Sequence, residues 1–226
     1  MIRGIVFDFD GLIIDTESAW YEALADLFGG YGVELPFDLW VRCVGASHAV
    51  FDPYAYFQER RPGVVDAAEL RKSALERHAA IMAGRPLRDG VEDYMRTARR
   101  LGLSIGIASS SRLDWIEGYL AKFGLAGYID SIRCADHVAE VKPSPEVYQK
   151  AVESLGLSPE EAIAFEDSPN GARAAFRAGL NVVIVPNRVT ERLEFGPHLF
   201  RLQSMGDMPL EAVIERVARM KNSVIR

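Results

Sequence analysis

Two carboxylates follow a short apolar run at the start of the chain. Gly4 to Phe7 is rich in β-branched and aromatic residues, which is typical of a parallel-sheet strand covered on both faces. Asp8 and Asp10 come next, two positions apart, so in an extended backbone their side chains point to the same side. Like charges about 4 Å apart repel by about 1 kcal/mol in water and about 4 kcal/mol at an effective dielectric near 20. The pattern therefore predicts a nearby cation or one protonated acid.

More polar groups stand where later strands are predicted to end. Ser109 and Ser110 follow one such strand, Glu166 and Asp167 follow another, and Lys142 lies between them in the sequence. Ligands of open parallel sheets bind beyond the carboxyl ends of the strands, so we expect these side chains to converge. Each group alone has an ordinary alternative. Serines often make turns or cap helices, a lysine is usually a solvated charge, and acids suit the start of a helix.

The rest of the chain supplies the elements that would carry these side chains. From residue 85 onward, strand and helix patterns alternate, which is typical of a doubly wound α/β domain. Strands are predicted at 103–109, 131–134, 162–165 and 182–185, with amphipathic helices between them. After residue 16 a helical pattern ends at Gly29 and Gly30, and no buried strand pattern follows before residue 84. The sequence thus predicts an α/β domain with a helical insertion after its first strand.

Composition limits the possible partners. The chain has 226 residues and a net charge of -6, which argues against a nucleic-acid or anionic-membrane partner. Its apolar runs are too short for a membrane span, and its start lacks a signal-peptide pattern, so we expect a cytoplasmic protein. Cys43 and Cys134 stand far apart, which indicates neither a zinc site nor a disulfide framework.

The first acidic motif extends into a longer signature. After Asp10 the chain continues Gly-Leu-Ile-Ile-Asp-Thr, and through Thr16 it resembles the first motif of the haloacid dehalogenase superfamily of phosphotransferases, in its β-phosphoglucomutase-like phosphatase branch. Ser109, Lys142 and the pair Glu166-Asp167 resemble the second, third and fourth motifs. Each motif is weak or moderate alone, but the four in order are highly specific. The resemblance implies a Rossmann-like core of residues 1–15 and 85–226 and a type 1 helical cap of residues 16–84.

The resemblance also implies roles for the motif residues. Asp8 matches the nucleophile that forms an aspartyl-phosphate, and Asp10 matches the general acid/base. Ser109, Ser110 and Lys142 match the phosphate-binding groups. A metal would be held by Asp8, the backbone carbonyl of Asp10, Glu166 and Asp167. Because these ligands are hard oxygens at a phosphate-handling site, Mg²⁺ is the expected ion.

Substrate selection is expected to lie in the cap. Gly45 and His48 belong to the segment that matches the family's specificity loop. The β-phosphoglucomutases have an arginine where His48 stands, used to hold a second phosphate, and a histidine where Trp20 stands. Both differences favour a phosphatase over a mutase. His48 is interpreted equally well as a hydrogen-bonded loop residue.

The function predicted from these observations is that of a Mg²⁺-dependent phosphatase acting on a small phosphorylated metabolite of the sugar or polyol class. Two alternatives stay open: a hexose-phosphate mutase, and a regulator that binds a phosphorylated metabolite without turning it over. The expected partner is the small substrate alone, with no nucleic acid and no membrane. We expect a monomer.

Overall fold

The computed structural model of the protein describes residues 1–42 and 51–224, with side chains through residue 221. Gly45 and His48, predicted to be specificity residues, lie outside the described residues, as does Cys43. Among the described residues, none of the helices has the length and apolar character required to cross a bilayer.

A parallel sheet forms the centre of the molecule. In the described ranges it has six strands in the spatial order β3-β2-β1-β4-β5-β6, and each neighbouring pair is parallel. The strands are β1 (Gly4–Phe7), β2 (Ser104–Ala108), β3 (Ser131–Arg133), β4 (Ala162–Glu166), β5 (Asn181–Ile184) and β6 (Phe200–Arg201). The predicted doubly wound α/β fold with a parallel sheet is confirmed.

Strand β1 is buried on both faces, which explains its continuous apolar run. Its register pairs Phe7 with Ile107 of β2 and with Phe165 of β4. Asp8, Ser109 and Glu166 therefore leave the sheet at the same edge, within two residues of these pairs. The convergence expected of parallel strands follows directly from this register.

Helices cover both faces of the sheet. One face packs against α5 (Val91–Arg100), α6 (Leu113–Lys122) and α9 (Leu210–Val224), and the other against α7 (Glu146–Ser154) and α8 (Pro169–Arg177). Side chains of β1 alternate between the two apolar clusters, with Ile5 and Phe7 in one and Val6 in the other. This alternation is the expected result of the strand's two-residue period.

Between β1 and α5 the chain forms a separate helical segment. Its helices are α1 (Thr16–Gly29), α2 (Phe37–Val41), α3 (Pro53–Arg60) and α4 (Ala67–Gly84). Asp15 caps α1 by accepting a hydrogen bond from the Ser18 backbone N–H at 3.0 Å. The helices bury an apolar cluster that includes Leu24, Phe28 and Phe57 and also Val189, which lies between β5 and β6. These helices occupy the stretch where the sequence predicted a helical insertion, and its division from the sheet as a cap domain stays a prediction.

The helical segment leaves and rejoins the sheet domain at one place. Ile14, just before α1, forms an antiparallel bridge with Leu87, just after α4. The Arg88 backbone N–H donates to the Ile13 carbonyl at 2.9 Å. The Arg88 guanidinium also donates to the carbonyls of Gly11 at 2.6 Å and Pro186 at 2.7 Å. Both connections are thus fastened to the same part of the sheet domain.

Candidate active site

A cavity of about 580 Å³ lies between the carboxyl edge of the sheet and the helical segment. Seven of the predicted site residues line it: Asp8, Asp10, Trp20, Ser109, Ser110, Lys142 and Asp167. Glu166 is fully buried beneath the cavity and contacts it through Lys142. The structure therefore brings together every predicted site residue that it describes.

A nearby cation was one of the two outcomes predicted for Asp8 and Asp10, and Lys142 is that cation, paired with Asp8 and Glu166. Its side chain is 7% exposed, and its ammonium donates to Asp8 Oδ1 and, at 2.7 Å, to Glu166 Oε1. Burial raises the pKa of Asp8 above its ordinary value, and the Lys142 charge opposes that rise. Burial alone would lower the pKa of Lys142, but the charges of Asp8 and Glu166 raise it instead. Lys142 therefore stays protonated.

Glu166 acts as a fixed support for Lys142. Its Oε1 also accepts from the Tyr148 hydroxyl at 2.8 Å, and its Oε2 accepts from Ser168 Oγ at 3.1 Å and the Asp167 backbone N–H at 3.0 Å. Both carboxylate oxygens are thus occupied by donors. The sequence did not indicate Tyr148, because it belongs to the apolar face of α7 and reads there as a core residue.

Asp167 offers an oxygen that lacks a partner. Its Oδ2 accepts from Asn187 Nδ2 at 2.7 Å, whereas Oδ1 is buried and has no hydrogen bond among the described residues. One carboxylate oxygen from each of Asp8, Glu166 and Asp167 lies within 4.8 Å of the other two. Burial, followed by the charges of Asp8 and Glu166, raises the pKa of Asp167 well above its ordinary value.

These oxygens fit a divalent cation. Hard oxygen donors suit such an ion. A bound cation would also supply the partner that the buried Asp167 Oδ1 lacks. Asp8 and Asp167 could hold the ion. Glu166 lies beside them with both oxygens already accepting hydrogen bonds, and its expected role as a ligand stays a prediction. The Asp10 carbonyl, also expected as a ligand, stays a prediction.

Asp10 is held apart from this acidic group by its own donors. Its Oδ2 accepts from Ser111 Oγ at 2.6 Å and lies 3.4 Å from Ser109 Oγ, and its Oδ1 accepts from Trp115 Nε1 at 2.9 Å. Burial raises the pKa of Asp10, while the hydrogen bonds from Ser111 and Trp115 work in the opposite direction. A partly buried carboxyl with a raised pKa is suited to carry a proton for general acid catalysis.

Two glycines let the backbone approach the acids closely. Gly11 has φ of +84°, and a Cβ on it would lie 2.1 Å from Asp167 Oδ2. A Cβ on Gly171, in the first turn of α8, would lie 1.7 Å from Glu166 Oε1. The fold therefore has no room for a side chain at either position.

Aromatic side chains form the wall opposite the sheet. The His78 ring of α4 stacks on Trp20 of α1, with centroids 3.9 Å apart and planes 9° apart. It also lies nearly parallel to Trp115 of α6, at 6.1 Å and 18°. No sequence pattern indicated His78 or Trp115, because each lies within a helical pattern and its contacts depend on how distant helices pack.

The chain was compared with known proteins. The family model for haloacid dehalogenase-like hydrolases matches residues 5–185. The Bacillus subtilis (strain 168) protein YhcW is 44% identical over 96% of this chain and 98% of its own length. Hexitol phosphatase B of Escherichia coli (strain K12) is 31% identical over 82% of this chain and 84% of its own length.

Two solved structures share the fold of this chain. The crystal structure of CbbY from Rhodobacter sphaeroides in complex with phosphate is 32% identical, with a TM-score of 0.68 over 92% of this chain and 96% of that chain. A β-phosphoglucomutase-like structure from Thermotoga maritima, 23% identical, shares the fold with a TM-score of 0.77 over 95% of this chain and 99% of that chain. Since the family model and the relatives each cover most of the sequence, the chain belongs to the haloacid dehalogenase-like hydrolase family, among its phosphatases.

Proposed function

We propose that the protein is a Mg²⁺-dependent phosphatase that hydrolyses a small sugar or polyol phosphate through an aspartyl-phosphate at Asp8. One observation carries this proposal. Lys142 pairs with Asp8 at the floor of a cavity, beside an Asp167 oxygen that has no partner among the described residues. The proposed nucleophile, a fixed cation and oxygens that could hold a metal thus lie together, an arrangement that supports phosphoryl transfer.

The side chains divide the reaction into two steps. In the first, a carboxylate oxygen of Asp8 bonds to phosphorus, the bond to the leaving oxygen breaks, and Asp10 gives that oxygen its proton. In the second, Asp10 takes a proton from water, the water oxygen bonds to phosphorus, and the bond to Asp8 breaks to release phosphate. Lys142, Ser109 and Ser110 would neutralise and position the phosphoryl oxygens throughout.

The metal is proposed to be Mg²⁺. Asp8 and Asp167 would hold it, with Glu166 adjacent and the Asp10 carbonyl completing the protein ligands. When bound, it supplies positive charge beside the phosphoryl oxygens. The charges of the site support a requirement for a metal ion. The single ammonium of Lys142 lies beside three buried carboxylates, those of Asp8, Glu166 and Asp167, and cannot neutralise them all.

We also propose that residues 16–84 act as a cap over a core of residues 1–15 and 85–226. Trp20, Trp40, Leu75 and His78 of the helical segment line the cavity on the side facing Asp8. Closing such a wall over the substrate would exclude bulk water and place the leaving group near Asp10. A monomer stays the predicted active unit.

The proposed substrate class follows from the size and charge of the cavity. A volume of about 580 Å³ is in the usual range for a small ligand. Among the described lining residues, Lys142 is the single lysine or arginine, and it is already paired with Asp8. A second phosphate would therefore lack a cation there. Hexitol phosphatase B and the fructose-1-phosphate phosphatase YqaB, both relatives from Escherichia coli, support sugar and polyol phosphates as the first compounds to test.

The test is phosphate release from a panel of sugar, polyol and other metabolite phosphates in the presence of Mg²⁺. A parallel reaction contains β-glucose 1-phosphate with a glucose bisphosphate primer, and glucose 6-phosphate and free phosphate are followed separately. We expect steady phosphate release without accumulation of isomer. Isomer appearing much faster than phosphate would identify a mutase, and binding without turnover would identify a regulator.

A further inference from the structure

His78 is a buried histidine with one ring nitrogen, Nε2, that lacks a partner among the described residues. Its side chain is 5% exposed, it lines the cavity, and its Nε2 has no hydrogen bond among the described residues. Stacking on Trp20 at 3.9 Å fixes the plane of the ring. A buried polar nitrogen without a partner is unfavourable, so its retention at a cavity wall points to a ligand that completes it.

The ring is uncharged at neutral pH. Burial, and then the charge of Arg85, lowers the pKa of His78 to about 4, against a smaller opposing contribution from a hydrogen bond to the Thr16 backbone. Because that hydrogen bond favours the protonated ring, the other ring nitrogen donates it, and Nε2 is the acceptor of the neutral imidazole. A hydroxyl group can complement Nε2 by donating its proton. A phosphate instead calls for a cation or several donors.

Glu17 lines the same cavity and points to the same kind of ligand. Burial, with the charges of Asp10, Asp15 and Asp8, raises the pKa of Glu17 to about 7, and its side chain makes no hydrogen bond within the described residues. Such a carboxyl group can bond a hydroxyl in either protonation state. In its charged form it repels an added phosphate. The sequence of residues 43–50 contains no lysine or arginine that could offset this charge.

We propose that His78 is a specificity-determining residue that binds, through Nε2, a hydroxyl group of an uncharged polyhydroxylated leaving group. This inference rests on the proposed phosphatase function and specifies its substrate. Trp115 supports the assignment, because the indole that lies parallel to His78 also donates Nε1–H to Asp10 at 2.9 Å. One indole, that of Trp115, therefore contacts both His78, which would bind a hydroxyl of the leaving group, and Asp10, which would protonate the leaving oxygen.

The test is the substitution His78→Phe, which keeps a flat ring against Trp20 and removes both ring nitrogens. The kcat/KM of the Mg²⁺-loaded enzyme is measured for sorbitol 6-phosphate and for p-nitrophenyl phosphate, whose leaving group carries no further hydroxyl. We expect the sorbitol-to-aryl ratio to fall by about three- to tenfold, chiefly through a higher KM for sorbitol 6-phosphate. Because both substrates are assayed on one preparation, any unfolded fraction cancels in the ratio.

Two further variants sharpen the test. His198→Phe makes the same change at an exposed position away from the cavity and should leave the ratio unchanged. His78→Gln restores a hydrogen-bonding group without the ring and should recover part of the ratio. An unchanged ratio in His78→Phe, or a ratio in His78→Gln as low as in His78→Phe, would overturn the inference while the phosphatase stands. Absence of phosphate release from both substrates by the wild type would instead contradict the proposed function and remove this inference with it.

Discussion

At the scale of single residues, Lys142 donates to two carboxylates, those of Asp8 and Glu166, whose other contacts differ. Glu166 accepts hydrogen bonds at both of its oxygens and is immobilised by them. Asp8 is held at Oδ1 alone, and among the described residues no hydrogen bond reaches its Oδ2. One carboxylate is therefore committed to structure, while the other keeps an oxygen available for reaction.

The first prediction concerns Asp8. Replacing it with Asn keeps nearly the same shape but provides a poor nucleophile, so phosphate release should fall by at least about a thousandfold. The far-UV circular dichroism spectrum and a cooperative unfolding transition should persist, since the change also removes one of three crowded buried acids. Near-normal turnover by Asp8→Asn would exclude the aspartyl-phosphate mechanism.

A second prediction concerns the donor from Trp115. Trp115→Phe keeps an aromatic ring near His78 but removes the N–H that fixes Asp10 Oδ1 at 2.9 Å. A mispositioned acid matters most when the leaving oxygen is basic, so kcat should fall by about tenfold on an alkyl phosphate and less on an aryl phosphate. Steady-state kinetics on the two substrates measure this. Equal losses on both would show that Trp115 does not act through Asp10.

At the scale of elements, the start of α8 sets the position of the acidic group. Ser168 caps this helix by accepting from the Gly171 N–H at 3.1 Å and donates its own hydroxyl to Glu166 Oε2. The helix can approach Glu166 this closely because residue 171 has no side chain. The geometry of Lys142 and Glu166 thus depends on a backbone contact with the first turn of α8.

The third prediction tests that contact. Gly171→Ala would place a Cβ 1.7 Å from Glu166 Oε1, so the helix or the carboxylate must move. We expect a loss of about 1–3 kcal/mol in the free energy of unfolding, together with at least a tenfold loss of turnover. Urea denaturation and phosphate release measure the two effects.

A matched control is Gly118→Ala within α6, where a Cβ would meet nothing within 4 Å. This change should raise stability by about 0.5–1 kcal/mol, since Ala favours a helix interior over Gly, and should leave activity unaltered. A Gly171→Ala protein that matched this control in stability and activity would contradict the role given to the close contact.

The fourth prediction concerns α4 and its buried histidine. His78 has an ordinary pKa of 6.5, which burial and Arg85 lower to about 4 in the folded protein. As the pH falls through this window, the unfolded chain takes up the proton first, so the free energy of unfolding decreases. At about 1.4 kcal/mol per pKa unit the loss is at most about 3.5 kcal/mol, and water in the cavity reduces it.

His78→Phe cannot bind that proton and serves as the comparison. The unfolding free energy of the wild type should therefore fall relative to that of His78→Phe between pH 7 and pH 4. Urea denaturation across this range measures the difference. Parallel curves for the two proteins would show that His78 is not held neutral in the fold.

The elements that the sequence predicted correctly are those with a pattern of their own. Strand β1 is a buried apolar run, α1 ends at a glycine pair, and Asp8 and Asp167 follow the ends of β1 and β4 at one edge of the sheet. Lys142 reaches that edge from the connection between β3 and α7. Strand β6 has two residues, too few for any period to be visible. Asn187 and Trp115 were missed because their partners, Asp167 and Asp10, lie 20 and 105 residues away in the chain. Only the packing of the finished fold creates these contacts.

At the scale of the whole molecule, the excess of acids makes the fold sensitive to cations. The chain carries a net charge of -6, and the acids at the cavity floor are buried. Burying like charges together opposes folding unless they are neutralised. A metal ion that binds the assembled site and ignores the unfolded chain should therefore stabilise the entire protein.

The fifth prediction follows from this linkage. At a Mg²⁺ concentration of about 100 times its Kd, the unfolding free energy should rise by about 2.7 kcal/mol, which raises Tm by roughly 5–10 °C. Asp167→Ala should lose most of this shift and need more Mg²⁺ for activity. Asp38→Ala, at an exposed acid on α2, should keep the full shift. Differential scanning calorimetry with and without the ion measures the shift.

Activity provides a second measure of the same site. Excess chelator should stop phosphate release, Mg²⁺ should restore it, and Ca²⁺ should restore it poorly because its looser and higher coordination misplaces Asp8 and the phosphate. Full turnover in the presence of chelator would reject the metal requirement.

The pairing of Ile14 with Leu87 has a consequence for how such a chain can evolve. Because the two ends of the helical segment are already held side by side, a segment of a different length or sequence could be spliced between them at little cost in loop-closure entropy. Asp8, Asp10, Ser109, Lys142 and Asp167 all lie outside that stretch, whereas Glu17, Trp20 and His78 lie within it. Replacing this one continuous stretch would therefore change the cavity wall that we propose selects the substrate and leave the proposed catalytic residues unchanged.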